Sequence, residues 1–454
     1  MSTTQDASAA PHLRRSLTLW HVILYGIVVI QPTAPMPLFG VLSDAGRGHA
    51  VTTILIAMLA MLLTAMSYGQ MARAYPSAGS AFTYVGQELN PAFGYVTGWS
   101  MVMDYVLNPI ICVIWVSQQA HIFVPRVPYV VWAVVVVLLF TSLNILGVRT
   151  SANINGGLAA AMGIVIFLFI VCAARFIVGQ PYHDLAFFTR PFYDPATFDR
   201  RRVLGATSIA VLTFIGFDGI STLSEETKNP RRNILLATVL TCILIGILAA
   251  AEVYAAQLLW PATEPFPDQT TAFSFVAGRA WSPLTTIVGL TLVIASFGSG
   301  MAAQLGAARL LFGMGRSNAL PKSFFGAIEP KRRIPRNSVV FVGILTLVGA
   351  FTLDYELGAR MLNFGALLAF MGVNLAALIR YYVRAQEKRW SALTGSVFGF
   401  LICLLLWLNL GRTAFLAGTV WMLVGVAFGA WKTRGFQNDL VNFDFAEEEL
   451  QASA

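Results

Sequence analysis

Charge is what this chain of 454 residues has least of: Asp, Glu, Lys and Arg make up 11% of it, against about 25% in ordinary soluble domains. With 57% hydrophobic residues, it lacks the polar surface a water-soluble fold of this size needs. Cysteine is scarce as well. Cys112, Cys172, Cys242 and Cys403 each lie inside an apolar run and form no C-x-x-C pair, so they read as packing residues and imply no disulfides. No H-E-x-x-H, P-loop or dinucleotide fingerprint occurs, which leaves a zinc protease or an ATP-driven pump without support. Low-complexity tracts, heptads and short-period repeats are missing too. His21 and His121 fall at the ends of apolar runs and read as interfacial groups; no metal, cofactor or nucleic-acid partner is called for.

What is present is a succession of apolar stretches of about 20 residues, each long enough to cross a hydrocarbon core of roughly 30 Å as a helix. The expected fold is all-α and integral to the lipid bilayer. Twelve transmembrane helices are expected at 17–43, 49–73, 83–117, 127–147, 153–178, 203–223, 233–258, 283–312, 337–353, 359–382, 392–410 and 413–431. Residues 1–16 are polar and end in Arg14-Arg15, and the following run is too long for a signal-peptide core, so it reads as the first span. The net charge of +8 is informative through its distribution. With a cytoplasmic N-terminus, most basic residues fall inside, from Arg14 and Arg15 through Lys228, Arg231, Arg232 and Lys331-Arg332-Arg333 to Lys432 and Arg434. The outside set is smaller, and much of it sits in one loop with Arg190, Arg200, Arg201 and Arg202. Both termini, the 1–16 tail and the 432–454 tail, are therefore expected in the cytoplasm.

Two spans are interrupted. The first carries Gln31-Pro32-Thr33-Ala34-Pro35, and the sixth carries Phe214-Ile215-Gly216-Phe217-Asp218-Gly219. They are five spans apart, so the breaks occupy corresponding places in two five-helix halves of opposite orientation, 17–178 and 203–382, with 392–431 added. Paired interruptions of this kind point to the binding site of an inverted-repeat transporter; independent helix kinks are the alternative. Proline in a helix frees carbonyls one turn earlier, and these need protein, water or ligand to satisfy them. At the sixth span, Asp218 adds a negative charge and Phe214 and Phe217 add ring faces, a combination that favours a cationic group. Asp218 could instead cap the following half-helix, or lie on the cytoplasmic side of the site as gate or proton carrier.

Asp104 is a second intramembrane carboxylate, on one helical face with Ser100 and Asn108 at four-residue spacing. It is the other candidate for the proton; a hydrogen-bond network between helices is the plainer account. Ser296 and Ser299 lie in a small-residue stretch of the eighth span, read either as close packing or as oxygen ligands for Na⁺. Glu252, near the outer end of the seventh span, is expected to snorkel to the interface.

Three blocks then resemble the amino acid-polyamine-organocation (APC) superfamily of permeases: Tyr75-Pro76-Ser77-Ala78-Gly79-Ser80-Ala81-Phe82-Thr83-Tyr84, Phe214 to Gly219, and Ser224-Glu225-Glu226-Thr227-Lys228-Asn229-Pro230-Arg231-Arg232-Asn233. Within it the chain looks most like the bacterial putrescine importers, through Met66 to Gln70, Leu107 to Ile110, Gly216 to Ser221 and Ala307-Ala308-Arg309. The resemblance implies a leucine-transporter-type fold, five plus five inverted helices with two more at the C-terminus, and proton-coupled uptake across a bacterial inner membrane. It also implies a role for Asp218 in amine recognition or gating. Two departures stand out. The usual Gly-rich break in span one is replaced by Pro32 and Pro35, which removes two amide donors for a substrate carboxylate and argues for a diamine. The lysine some relatives carry in span five is absent, leaving Asn153 and Asn155.

The sequence therefore reads as a secondary transporter importing putrescine or a related polyamine by alternating access, with H⁺ ahead of Na⁺ as coupling ion. A neutral amino acid permease or exchanger is the alternative. Candidate substrate-binding residues are Gln31, Pro32, Thr33, Ala34, Phe214, Gly216, Phe217 and Asp218.

Overall fold

The computed structural model describes residues 17–75, 80–146, 152–180, 184–224, 227–261, 264–316, 320–329, 334–386, 388 and 390–434. Pro76 to Gly79, Glu225, Glu226, Lys331 to Arg333 and most of both tails lie outside the described residues, as do the side chains of Asn153 and Asn155. The described residues are helical apart from turns, loops and one isolated parallel bridge, Leu17 with Thr227. The chain begins with α1 (Leu19–Ile30), α2 (Pro35–Ala45), α3 (Ala50–Ala74), α4 (Ser80–Glu88), α5 (Pro91–Phe123), α6 (Tyr129–Leu146), α7 (Ala152–Val178) and the short α8 (Leu185–Thr189). Next, α9 (Arg200–Ala210) runs into two 3-10 turns, Val211–Phe214 and Phe217–Leu223. α10 (Pro230–Leu259), α11 (Ala272–Ala280), α12 (Leu284–Arg316) and α13 (Lys322–Phe325) lead to α14 (Arg336–Thr352) and α15 (Tyr355–Leu378), which ends in a π turn at Ile379–Val383. α16 (Trp390–Leu408) and α17 (Arg412–Lys432) complete the described chain.

Among the described residues nine helices are long and apolar enough to cross a membrane, and α1 with α2, bent by 52°, makes a tenth. Shorter apolar helices, Arg336–Thr352 and Ala392–Leu408, occupy the expected ninth and eleventh stretches. One expected span is corrected. The run 83–117 is not a single helix, because Asn90 stops it: its Oδ1 accepts the Phe93 amide at 3.0 Å and Pro91 takes the first helical position. α4 then folds back on α5, so close that a Cβ on Gly94 would lie 2.7 Å from the Gly86 Cα. The apolar run had hidden a cap-plus-proline signal.

α5 is the central post, packed by α4, α6, α12, α14 and α15. α3 and α10 form the most extensive pair, antiparallel, with Leu235 against Gly69 and Met58 against Gly246. The outer helices turn Leu138, Ile164, Phe167 and Leu423 outward, an apolar surface suited to acyl chains. This is a multi-pass membrane protein.

Candidate functional site

Backbone chemistry sets the first break. α1 ends at Gln31, whose amide still reaches the Ile27 carbonyl at 3.0 Å, but Pro32 has no N–H to continue the ladder. Gln31 sits at φ +68°, a left-handed conformation that costs a side-chain-bearing residue about 1–2 kcal/mol. Its own amide group anchors it: Nε2 donates to the Ala295 carbonyl of α12 at 2.8 Å. Pro35 opens α2, and Thr33, fully buried between them, points its hydroxyl at Met162 Sδ at 3.4 Å.

The second break begins a turn earlier than the glycines suggest, with tightening into the 3-10 turn at Val211. Gly216, at φ +115°, reverses the local path, and a Cβ there would meet Val29 Cγ1 at 3.0 Å. The position therefore requires glycine both for its dihedral and for its approach to α1. The two breaks thus lie side by side.

Beside them is a cavity of about 70 Å³. Gln31 and Ala34 line it from the first break, Leu212 and Ile215 from the second, Asn108, Cys112 and Trp115 from α5, Ser296 and Ser299 from α12, and Tyr355 from α15. Of the sequence candidates, Gln31, Ala34, Ser296 and Ser299 are brought together here; Pro32 and Thr33 are buried in the break and do not line it. No charged side chain lines the cavity among the described residues. Trp115 Nε1 is committed to the Thr270 carbonyl at 2.8 Å, which leaves its ring as the exposed chemistry. Trp115, Cys112 and Tyr355 were missed by sequence reasoning. The first two continue the Asp104–Asn108 face by further helical turns, a signal that was available; Tyr355 comes from a distant helix and had none.

Asp218 and Asp104 lie past Ile215, on the far side of the breaks from the cavity, and both are buried. The Asp218 carboxylate accepts the Tyr105 hydroxyl and is turned to the backbone amides of Gly216 and Gly219; Asp104 is near enough to feel its charge. Tyr105 is a further residue the sequence reading did not single out. Phe214 and Phe217 are wholly buried. Phe217 packs on Tyr68 and Phe370 at ring separations of 5.4 and 5.1 Å, and Tyr84 adds a fourth ring beside Tyr68 at 6.2 Å. These rings form a plug, not a wall of the cavity.

An ion cluster lies at the C-terminal end of α4, one helical turn past Tyr84. Glu88 of α4, 2% exposed, is held by Arg380 Nη1 at 2.8 Å, by Arg384 Nη1 at 3.3 Å and by the Tyr75 hydroxyl at 2.8 Å. Burial, then the hydrogen bond donated to Glu88, pushes the Tyr75 phenol up to about 12, so it remains a donor at any ordinary pH. One expectation is overturned outright: Glu252 does not snorkel. It is fully buried on α10, a helix packed by α1, α2, α3, α7 and α11.

Residues 36–443 match the amino acid permease family. The chain belongs to that family. Over 442 residues the permease is 34% identical to the low-affinity putrescine importer PlaP of Escherichia coli, with 95% of this chain and 96% of that one covered. It is 25% identical over 452 residues to the branched-chain amino acid permease BcaP of Bacillus subtilis, covering 92% and 93% of the two chains. With the chloroplastic cationic amino acid transporter 6 of Arabidopsis thaliana it shares 26% over 426 residues, 87% of this chain and 71% of the relative. These relatives are transporters, and the permease is a transporter rather than an enzyme.

Proposed function

We propose that the permease imports putrescine or a related small organic cation across a bacterial inner membrane in symport with H⁺, by alternating access. The observation that carries this reading is the near full-length similarity to a putrescine importer, joined to two adjacent helix breaks flanking one cavity. In the proposed layout, twelve spans form inverted repeats at 17–178 and 203–382 plus 392–431, with both tails cytoplasmic. The cavity then faces outward, while the aromatic plug and the Glu88 cluster close the cytoplasmic end.

An ammonium group entering the cavity meets oxygens of Gln31, Asn108, Ser296 and Ser299 and the ring faces of Trp115 and Tyr355, all suited to a cation. Asp218 and Asp104, deeper, draw the amine through the breaks once the plug parts. The membrane potential contributes about 2.3 kcal/mol per positive charge for each 100 mV. Ser296 and Ser299 serve the substrate in this scheme; as a Na⁺ site they would make transport stop when choline replaces Na⁺, and uptake is expected to persist.

A second reading, a neutral amino acid permease or exchanger, is favoured by one observation: the cavity wall carries no charge. Uptake of labelled putrescine into proteoliposomes, competed by diamines and by leucine, separates the two. Competition by diamines alone is expected; competition by leucine alone would defeat the diamine assignment.

A further inference from the structure

Glu252 is a buried acid that the transport scheme above does not use. It is 0% exposed, and both carboxyl oxygens lack a hydrogen-bond partner among the described residues. On α10 it falls between two contacts with the neighbouring helices. Gly246 abuts Met58 of α3, while Gln257 accepts the Ala50 amide at 3.3 Å and donates to Ser43 Oγ at 3.2 Å. The titratable groups on the elements packed against α10 are Asp44 of α2, His49, Tyr68 and Arg73 along α3, His21 and Tyr25 of α1, Asp218, Arg175 of α7 and Arg279 of α11. α10 itself carries Arg231, Arg232, Cys242 and Tyr254. None of them is a hydrogen-bond partner of Glu252 among the described residues.

A negative charge held there would have neither countercharge nor donor, so in this conformation the carboxyl carries its proton. Asp218 differs, because its carboxylate has hydrogen-bond donors, the Tyr105 hydroxyl and backbone amides. Toward one end of α10, polar groups follow on a face turned about 140° from Glu252. Gln257 lies one to two helical turns along, and beside its partner Ala50 is His49, whose Nδ1 bonds the Gly46 carbonyl at 2.9 Å and whose Nε2 accepts the Asp194 amide at 3.0 Å.

We propose that Glu252 is the carrier of the coupled proton: H⁺ adds to its carboxylate from water on one side of the membrane, rides the conformational change, and leaves to water on the other side when the packing around α10 loosens. No other bond changes. The proposal rests on the reading of the permease as a proton symporter, and its test separates the two.

The test uses the full-length permease. Infrared difference spectra between acid and alkaline pH, recorded without substrate, are expected to show the carbonyl stretch of a protonated carboxylic acid that is absent from Glu252→Gln. In proteoliposomes carrying a luminal pH dye, wild-type putrescine entry should acidify the lumen. Glu252→Gln, and Glu252→Met as an apolar replacement in case the amide is poorly tolerated, should keep putrescine counterflow but lose that acidification and accumulation driven by a pH gradient. A variant that still acidifies the lumen per putrescine as the wild type does overturns the proposal, as does an infrared band unchanged by substitution. Failure of wild-type counterflow with putrescine would defeat the substrate assignment instead, and the infrared result would still decide whether Glu252 holds a proton.

Discussion

At the scale of single residues, the polar groups divide between two sides of the breaks. Neutral oxygens and rings line the cavity, and carboxylates wait beyond Ile215. Asp218→Asn keeps the side chain's shape and its place beside Tyr105 while removing the charge. In the proposed scheme it should leave the cavity's first contact with putrescine nearly intact and slow translocation by roughly tenfold or more, since an intramembrane carboxylate is retained for its charge. Comparison of equilibrium binding with initial uptake rates checks this; loss of binding without loss of maximal rate would place Asp218 in the first contact. Gln31 and Gly216 were legible because proline and glycine act locally on the backbone. The burial of Glu252 was not, because only the packing of other helices around α10 decides it.

At the scale of elements, α4 and the π turn at Ile379–Val383 are latched by Glu88. Replacing Glu88 with Gln removes the charge that holds Arg380 and Arg384, a loss of about 2 kcal/mol for hydrogen bonds to charged groups. That corresponds to a shift of about thirtyfold in the open-to-closed ratio of this end. Single-cysteine variants near Tyr84, labelled from the cytoplasmic side, should react faster in the Glu88→Gln background; unchanged labelling would mean the latch does not set the closed state. Helix positions were largely readable from apolar runs, since lipid demands their length. The α4–α5 turn was missed because the expected span was carried across Gln87-Glu88-Leu89-Asn90-Pro91, where a local cap and proline, both exposed, end α4 and start α5.

For the whole molecule, the bias of Lys and Arg predicts that both tails lie on the cytoplasmic side. Reporter fusions at the two ends, or labelling of cysteines placed in residues 1–16 and 432–454, should find both protected from outside reagents; opposite locations would break the even span count. Family and transporter class were recoverable from the order of short blocks along the chain. The cavity was half legible: its contributions from α1, the sixth span and α12 were in view, but Tyr355 joins them through a long-range contact that no local pattern encodes. The bridge between Leu17 and Thr227, with the Lys228 amide on the Leu17 carbonyl at 2.8 Å, has a kinematic consequence. It couples the lead-in to one broken span to the exit from the other, so in the proposed alternating-access scheme the two breaks are expected to travel together as one body. In that scheme the sliding surface runs along α5, α12 and α15, and the Gln31–Ala295 hydrogen bond that crosses it is among the contacts each stroke would remake.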